Sequence, residues 1–267
     1  MRKTAVLLCA LLWAGMSQAS ALPLWKSIAK GHKLPRPYGV GVDFFEMKQG
    51  YEISALKFSL PGHPNGFSVP ASLVDVNNRV HHHDIKLDAW ILPFVNVFAI
   101  YGQVHASTKV DLSKINLSSL GLPALDTVNL SYQGSVYGVG GTLAVGGDHW
   151  FAEATGTATR TNLSGDFAST ESSRSWQSRV GLVRGPWQAW VGAQKIDVKE
   201  NHKGTIVLAP NFPPVTFDVS LQQRATWTPT IGARYDLSDK FAVTAEYGGG
   251  DRKTALISGE WRFGDSD

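Results

Sequence analysis

The stretch Thr254-Ala255-Leu256-Ile257-Ser258-Gly259-Glu260-Trp261-Arg262-Phe263 decides how the chain is read. Ala255, Ile257, Gly259, Trp261 and Phe263 are small or apolar, while Thr254, Ser258, Glu260 and Arg262 are polar; Leu256 alone breaks the alternation. Successive side chains of a strand point to opposite faces, so this period of two predicts a half-buried β-strand. In a soluble sandwich the greasy face turns inward onto a shared core. In a barrel set in a bilayer it turns outward to lipid, and the charges enter the lumen.

The other end of the chain bears on that choice. Arg2 and Lys3 precede an uncharged apolar run, Thr4 to Met16, and Ser17-Gln18-Ala19 and Ala19-Ser20-Ala21 both offer small-residue cleavage sites. That pattern predicts a secretory signal peptide over residues 1–21, too short to span a membrane as a helix. Cys9, the single cysteine, lies within it, so the exported chain would have neither disulfides nor thiol chemistry. Without Arg2 and Lys3 the 25 basic residues fall to 23, against 22 acidic. A balance this even gives nucleic-acid binding no electrostatic support. About 246 residues remain, a length suited to one all-β domain.

Alternation recurs upstream. Phe241, Val243, Ala245 and Tyr247 form an apolar set, as do Trp187, Ala189, Val191 and Ala193, then Trp176, Ser178, Val180 and Leu182, and Trp150, Ala152, Ala154, Gly156 and Ala158. Ala225, Trp227, Pro229, Ile231, Ala233 and Tyr235 form another, in which Pro229 predicts a bulge or break because it lacks an N–H. Val128 to Val145 reads as a strand whose phase is blurred by Gly138, Gly140 and Gly141, a possible kink. Phe94 to Ala106 is apolar on both faces. Ile85, Leu87, Ala89 and Ile91 alternate with Asp84, Lys86, Asp88 and Trp90, and Tyr38, Val40, Val42 and Phe44 open the series.

Short turns at Leu92-Pro93, Gly146-Gly147-Asp148, Gly185-Pro186 and Asp236 to Asp239 alternate with longer polar stretches at Met47 to Val80, Ser107 to Thr127, Asn162 to Ser173 and Asn201 to Ser220. Sorting of loops by parity is what a barrel with one end in each compartment produces. The reading is all-β: a transmembrane, antiparallel, up-and-down β-barrel of about ten strands over residues 38–263. Tyr51 to Leu60 could extend the first strand, and a hairpin from Ile206 to Val219 would raise the count to twelve. Residues 22–37 read as a periplasmic leader and 264–267 as a tail.

This architecture, with the terminal Gly259-Glu260-Trp261-Arg262-Phe263, resembles the outer-membrane β-barrel proteins of Gram-negative bacteria. The resemblance implies a porin-like protein of the cell envelope, placed in the outer membrane after export. Its implied partners are outer-membrane lipid, lipopolysaccharide and the barrel-assembly machinery, which reads a terminal aromatic. Here Phe263 is displaced from the end by Gly264-Asp265-Ser266-Asp267.

The inward set carries both signs: Asp84, Lys86, Asp88, Glu153, Arg179, Arg224, Arg234, Glu246, Glu260 and Arg262. Such residues either pair and fill a small lumen or line a narrow aqueous path. The aromatics Trp150, Trp176, Trp187, Trp227, Tyr235, Tyr247, Trp261 and Phe263 fall on the apolar face, many at strand ends, where amphipathic rings settle at headgroup level. His81-His82-His83-Asp84 offers metal-ligand types, but only His81 and His83 share a face, so the pattern reads as a solvated loop-to-strand junction. His105 and Ser107, with Asn116 as a candidate amide, make a minimal hydrolase pattern similar to that of outer-membrane phospholipases; nothing around them extends it. No catalytic residue, metal or cofactor is assigned. The expected role is non-enzymatic: structural or surface-interacting, with extracellular ligands met by the long loops, or a narrow selective channel. A lipid hydrolase is the remaining alternative.

Overall fold

The computed structural model describes residues 22–29, 31, 34–60, 63–68, 74–114, 127–165, 169–206, 215–223 and 227–265. The predicted signal peptide, Asn116 and Arg224 lie outside them. Twelve strands follow one another: β1 (Tyr38–Leu60), β2 (His63–Ser68), β3 (Asp75–Leu92), β4 (Val95–Asp111), β5 (Thr127–Gly146), β6 (Trp150–Gly165), β7 (Ser169–Arg184), β8 (Trp187–Ile206), β9 (Val215–Gln223), β10 (Thr228–Asp236), β11 (Phe241–Gly248) and β12 (Arg252–Phe263).

Ten of them close into an antiparallel barrel, each paired with its neighbours in sequence. Closure is made by β12 against β1, in unbroken register from Tyr38 opposite Phe263 to Gln49 opposite Arg252. A closed wall leaves no unpaired edge, so its backbone N–H and C=O groups are satisfied internally. The two remaining strands sit at the end opposite the short turns, the loop end. There β2 folds back on β1, and β9 pairs with the far parts of both β8 and β1. Tyr51 to Leu60 therefore extends the first strand. The hairpin after Ile206 exists but does not raise the count of the wall to twelve.

The stretches read as long loops are shorter than expected. β1 runs on through Met47 to Leu60, β4 to Asp111, β6 to Gly165 and β8 to Ile206. Backbone pairing continues there although the outward apolar signal has ended: past the apolar band the inward residues, among them Val76, Val104, Ala106, Tyr132 and Leu163, are the apolar ones and the outward residues are polar. The predicted irregularities in β5 and β10 are also absent. Pairing passes through Gly138, Gly140 and Gly141 without a shift. A Cβ at Gly140 would lie 2.2 Å from the Phe98 ring, so that glycine makes room for an inward aromatic on β4. Pro229 keeps register with Ala193 of β8, while the β11 ladder starts one residue later at Thr230. Its missing donor faces no partner strand on that side.

The two faces differ as the alternation requires. Outward positions are exposed and apolar: Val42, Phe44, Ile85, Leu87, Val139, Leu143, Val180, Leu182, Val191, Ile231, Val243 and Ile257. Trp150, Trp187, Tyr235, Phe241, Trp261, Phe263 and Tyr38 gather at the turn end, where Trp187 meets Tyr235 at 4.6 Å and Trp261 meets Phe263 at 4.9 Å. Tyr101, Tyr137, Trp176 and Tyr247 form a second set farther along, and Trp227 stands exposed just before β10. Beyond the second set the outward residues turn polar, as in Gln103, Ser107 and Lys109 of β4 and Ser135, Gln133 and Ser131 of β5.

Residues 22–29, 31 and 34–37 lie across the turn end. Lys26–Ala29 is one turn of 3-10 helix. Leu24 N donates to Ile91 O at 2.9 Å and Trp90 N to Pro37 O at 2.8 Å. Arg36 donates to Gly264 O at 2.8 Å and to Asp239 at 2.5 Å. The leader is thereby tied to three different points of the rim.

Candidate functional site: the charged lumen

Inward side chains enclose a cavity of about 1310 Å³. It reaches from Ile28, Leu34 and Asp239 at the turn end to Asn78, Tyr132 and Leu163 toward the loop end. At about 30 Å³ per water, this is space for tens of solvent molecules rather than a filled core.

The inward phase of β7, β8, β10 and β11 builds one cluster. Arg179 Nε donates to Glu246 at 2.7 Å and its Nη1 to Glu153 at 2.8 Å. Glu246 also accepts from Gln177 at 2.6 Å and from the Trp190 indole N–H at 2.6 Å. The Arg179 guanidinium lies 4.9 Å from the centre of the Trp190 ring, a cation–π contact. Trp190 itself meets Phe151 edge-on at 6.2 Å. The ring fits because Gly232 lies beside it; a Cβ there would be 2.5 Å from ring atoms. Arg179 thus reaches past β8 and β10 to a carboxylate on β11. Of these groups Glu246 is buried, and with three donors on its carboxylate it is costly to unpair from its cation, by about 1–3 kcal/mol.

A second cluster occupies the seam between β12, β1 and β3. Arg262 donates to Asp88 at 2.9 Å and to Glu260, and its Nε donates to Arg36 O at 2.9 Å. Glu260 accepts from Arg234 at 2.5 Å, Arg234 donates to Asp236 at 2.8 Å, and Asn96 donates to Asp88 at 2.6 Å. Farther up the same wall Asp84 is inward with His82 Nε2 at 3.2 Å from its carboxylate, and Ser258 donates to Asp43, the residue opposite Asp84. Lys86 faces the same space; its Cε would lie 3.4 Å from a Cβ at Gly41.

Toward the loop end the lining becomes apolar and tight. Val104, Ala106, Tyr132 and Leu163 pack together, with Val80 and Leu130 against them. Asn78 donates to Thr108 at 2.8 Å and to Tyr132 at 2.6 Å, which ties β3, β4 and β5 together. On the opposite wall Arg252 donates from Nε to Gln49 at 2.8 Å and from Nη2 to the Ile196 carbonyl of β8 at 3.2 Å. It spans the tops of β10 and β11.

Of the charges assigned to the lumen from sequence, Asp84, Lys86, Asp88, Glu153, Arg179, Arg234, Glu246, Glu260 and Arg262 face inward. Sequence reasoning missed Trp190, Gln177, Asn96 and Arg252 as members of the lining. Trp190 was in the inward phase of its strand, between Gln188 and Gly192, and that phase was the available signal. His105 and Ser107 both point outward, and His105 stacks on His83 with ring centres 6.3 Å apart. His82 is inward and separated from His81 and His83 by the wall. Among the described residues no three His, Cys, Asp or Glu side chains converge on a metal position.

No protein-family model matches the chain, and no curated protein does. Solved structures of similar course do exist. The outer membrane protein OprG from Pseudomonas aeruginosa is 9% identical, with a TM-score of 0.47 over 87% of this chain and 99% of its own. The outer membrane protease OmpT from Escherichia coli is 7% identical, with a TM-score of 0.46 over 87% of this chain and 98% of its own. The translocator domain of the autotransporter NalP from Neisseria meningitidis is 11% identical, with a TM-score of 0.38 over 97% and 98%. Likeness at this level concerns the run of the backbone and assigns no activity.

Proposed function

We propose that the chain is an integral outer-membrane β-barrel whose lumen serves as a narrow, charge-lined conduit for small polar solutes. The observation that carries this reading is the cavity of about 1310 Å³, lined by charges of both signs from the turn end to the apolar packing near the loop end. A wall that is apolar outside and charged inside is stable only with lipid around it and water within. Mixed signs held in fixed pairs select against no single charge class strongly, which suits small zwitterionic or neutral solutes. The packed residues at the loop end, Val104, Tyr132 and Leu163, would be its constriction.

The test is conductance of refolded protein in a planar bilayer. Single-channel steps that change when Arg179 or Glu246 is neutralised support the conduit. A silent bilayer, with the protein still extractable from membranes only by detergent, leaves the barrel reading and removes the channel.

The second reading is a non-enzymatic structural or surface-interacting barrel. It is favoured by the Asn78–Thr108–Tyr132 triangle, which braces the constriction as a fixed closure. No role in hydrolysis is proposed for His105 and Ser107: they lie on the outer wall, and His105 is engaged by another imidazole instead of a carboxylate orienter.

A further inference from the structure

A row of like charge crosses the outer wall just beyond the apolar band. Lys48 of β1 lies opposite Lys253 of β12 on one side and opposite Arg79 of β3 on the other. All three are outward and exposed. Like charges directly opposed on neighbouring strands repel. A surface shaped only for solubility would alternate their signs.

Among the described residues one acidic side chain is bonded to this row. Glu46, one outward position away, lies 3.2 Å from Lys48 Nζ and 3.1 Å from Arg79 Nε. Past Arg79 the row continues in hydroxyls, with Ser107 opposite Arg79 and Ser131 opposite Ser107. The adjoining row places His81 opposite His105. On the turn-end side of these groups the same strands present Phe44, Ile85 and Ile257, each more than half exposed. The surface is a shelf of cations and hydroxyls set on an apolar slope.

We infer that this face, formed by β12, β1, β3 and β4, binds a phosphate-bearing lipid. The phosphate sits on Lys253, Lys48 and Arg79, and the acyl chains run down over Ile257, Phe44 and Ile85. Charge and shape are both accounted for: an anion relieves the repulsion along the row, and chains descending from it cover the exposed apolar residues. A soluble anion would satisfy the row and leave the slope bare. The inference rests on the membrane-embedded reading above, since the slope is then already in lipid.

The full chain in detergent micelles, studied by native mass spectrometry, tests it. Three probes are compared: lipid A, which is a bisphosphorylated acylated disaccharide, its fully dephosphorylated form, and inorganic pyrophosphate. The unaltered chain is expected to retain lipid A and neither of the others. In the triple variant Lys48→Gln, Arg79→Gln, Lys253→Gln, affinity for lipid A should fall on the order of a hundredfold. The variant Arg160→Gln, Arg174→Gln, altered on the far wall, should keep it. Thermal unfolding in lipid-free detergent separates binding from folding: the triple variant loses the exposed Glu46 pairs together with the repulsion, so its midpoint should stay close to its parent's. Equal retention of lipid A by the triple variant, or of dephosphorylated lipid by the parent, overturns the proposal. Equal binding of pyrophosphate overturns the lipid and leaves a soluble anion. Release of the chain from cells without detergent would instead defeat the membrane reading.

Discussion

Arg262 and Asp88 meet at 2.9 Å from strands that are not neighbours. Between them runs β1, and the residue of β1 in register with both is Gly39. A Cβ at that position would lie 2.1 Å from the Asp88 carboxylate and 2.9 Å from the Arg262 guanidinium. The missing side chain is what lets the pair form across an intervening strand, at the seam where the barrel closes.

Gly39→Ala should therefore weaken the closure by about 1–3 kcal/mol, the usual cost of overpacking. Gly41→Ala, one inward position on, meets Lys86 Cε at 3.4 Å and should be near neutral. Urea unfolding of both variants in detergent, followed by the mobility of folded and unfolded forms on unheated gels, measures the difference. Equal midpoints would dissociate the glycine from the pair.

Neutralising the first lumen cluster should change ion preference in opposite directions. Arg179→Gln leaves Glu153 and Glu246 without their shared cation, so reversal potentials in a salt gradient should move toward cations. Glu246→Gln leaves Arg179 with Glu153 alone and should move them toward anions. Arg179→Gln should also cost about 1–3 kcal/mol, because it leaves the buried Glu246 carboxylate with only its neutral donors Gln177 and Trp190. Identical shifts in the two variants would contradict the assigned geometry.

Arg252 holds the loop end together from inside. Its bonds to Gln49 at 2.8 Å and to the Ile196 carbonyl at 3.2 Å join β12, β1 and β8. Arg252→Met keeps most of the volume and removes both bonds. A loss of about 2–3 kcal/mol is expected, with amide hydrogen exchange rising first in the loop-end half of β8. Faster exchange confined to the turn end would argue for a different role.

The leader's hold on the rim should depend on pH. Hydrogen bonding from Arg36, with the nearby guanidinium charge, lowers the Asp239 carboxyl below its ordinary value against a small opposing cost of burial. A depressed folded-state value means the contribution is present above the ordinary carboxylate range and fades as pH falls through the depressed value. Hydrogen exchange over residues 22–37 should accelerate on acidification to that range, and Asp239→Asn should exchange fast throughout. A wild-type leader indifferent to acid would remove Asp239 from its anchoring.

Legibility in the sequence followed the surrounding medium. Where a strand has lipid on one side and water on the other, as at Ile257 and Glu260, each face demands its own residue type and the pattern can be read. On the loop-end side of Phe44 the outward apolar signal is lost, with Met47 and Tyr51 buried inside and Lys48 exposed outside, so the sequence reads a long polar stretch from Met47 and leaves Tyr51 to Leu60 open as an extension of the strand, although pairing persists throughout. The same loss hid Lys48 and Arg79, which fell within a stretch taken to be connecting chain. The lumen charges were legible as inward residues, but their partners were not: Arg179 reaches Glu246 over two intervening strands, a relation set by curvature and by the space at Gly232. Trp190 shows the limit of residue type as a guide, since strand phase places it inward although its type suits the apolar face.

The strand lengths carry a consequence for the shape of the molecule. β10, β11 and β12 stop well short of the loop end, and above them β9 alone joins β8 to β1. One strand takes the place of three, and since barrel diameter grows with strand number, the vessel has a neck narrower than its belly. The Gly249-Gly250-Asp251 hairpin tip ends below β9, so lengthening that tip would press β11 and β12 against the strand that replaces them in the neck. A loop insertion there, harmless in most barrels, would in this one recut the throat.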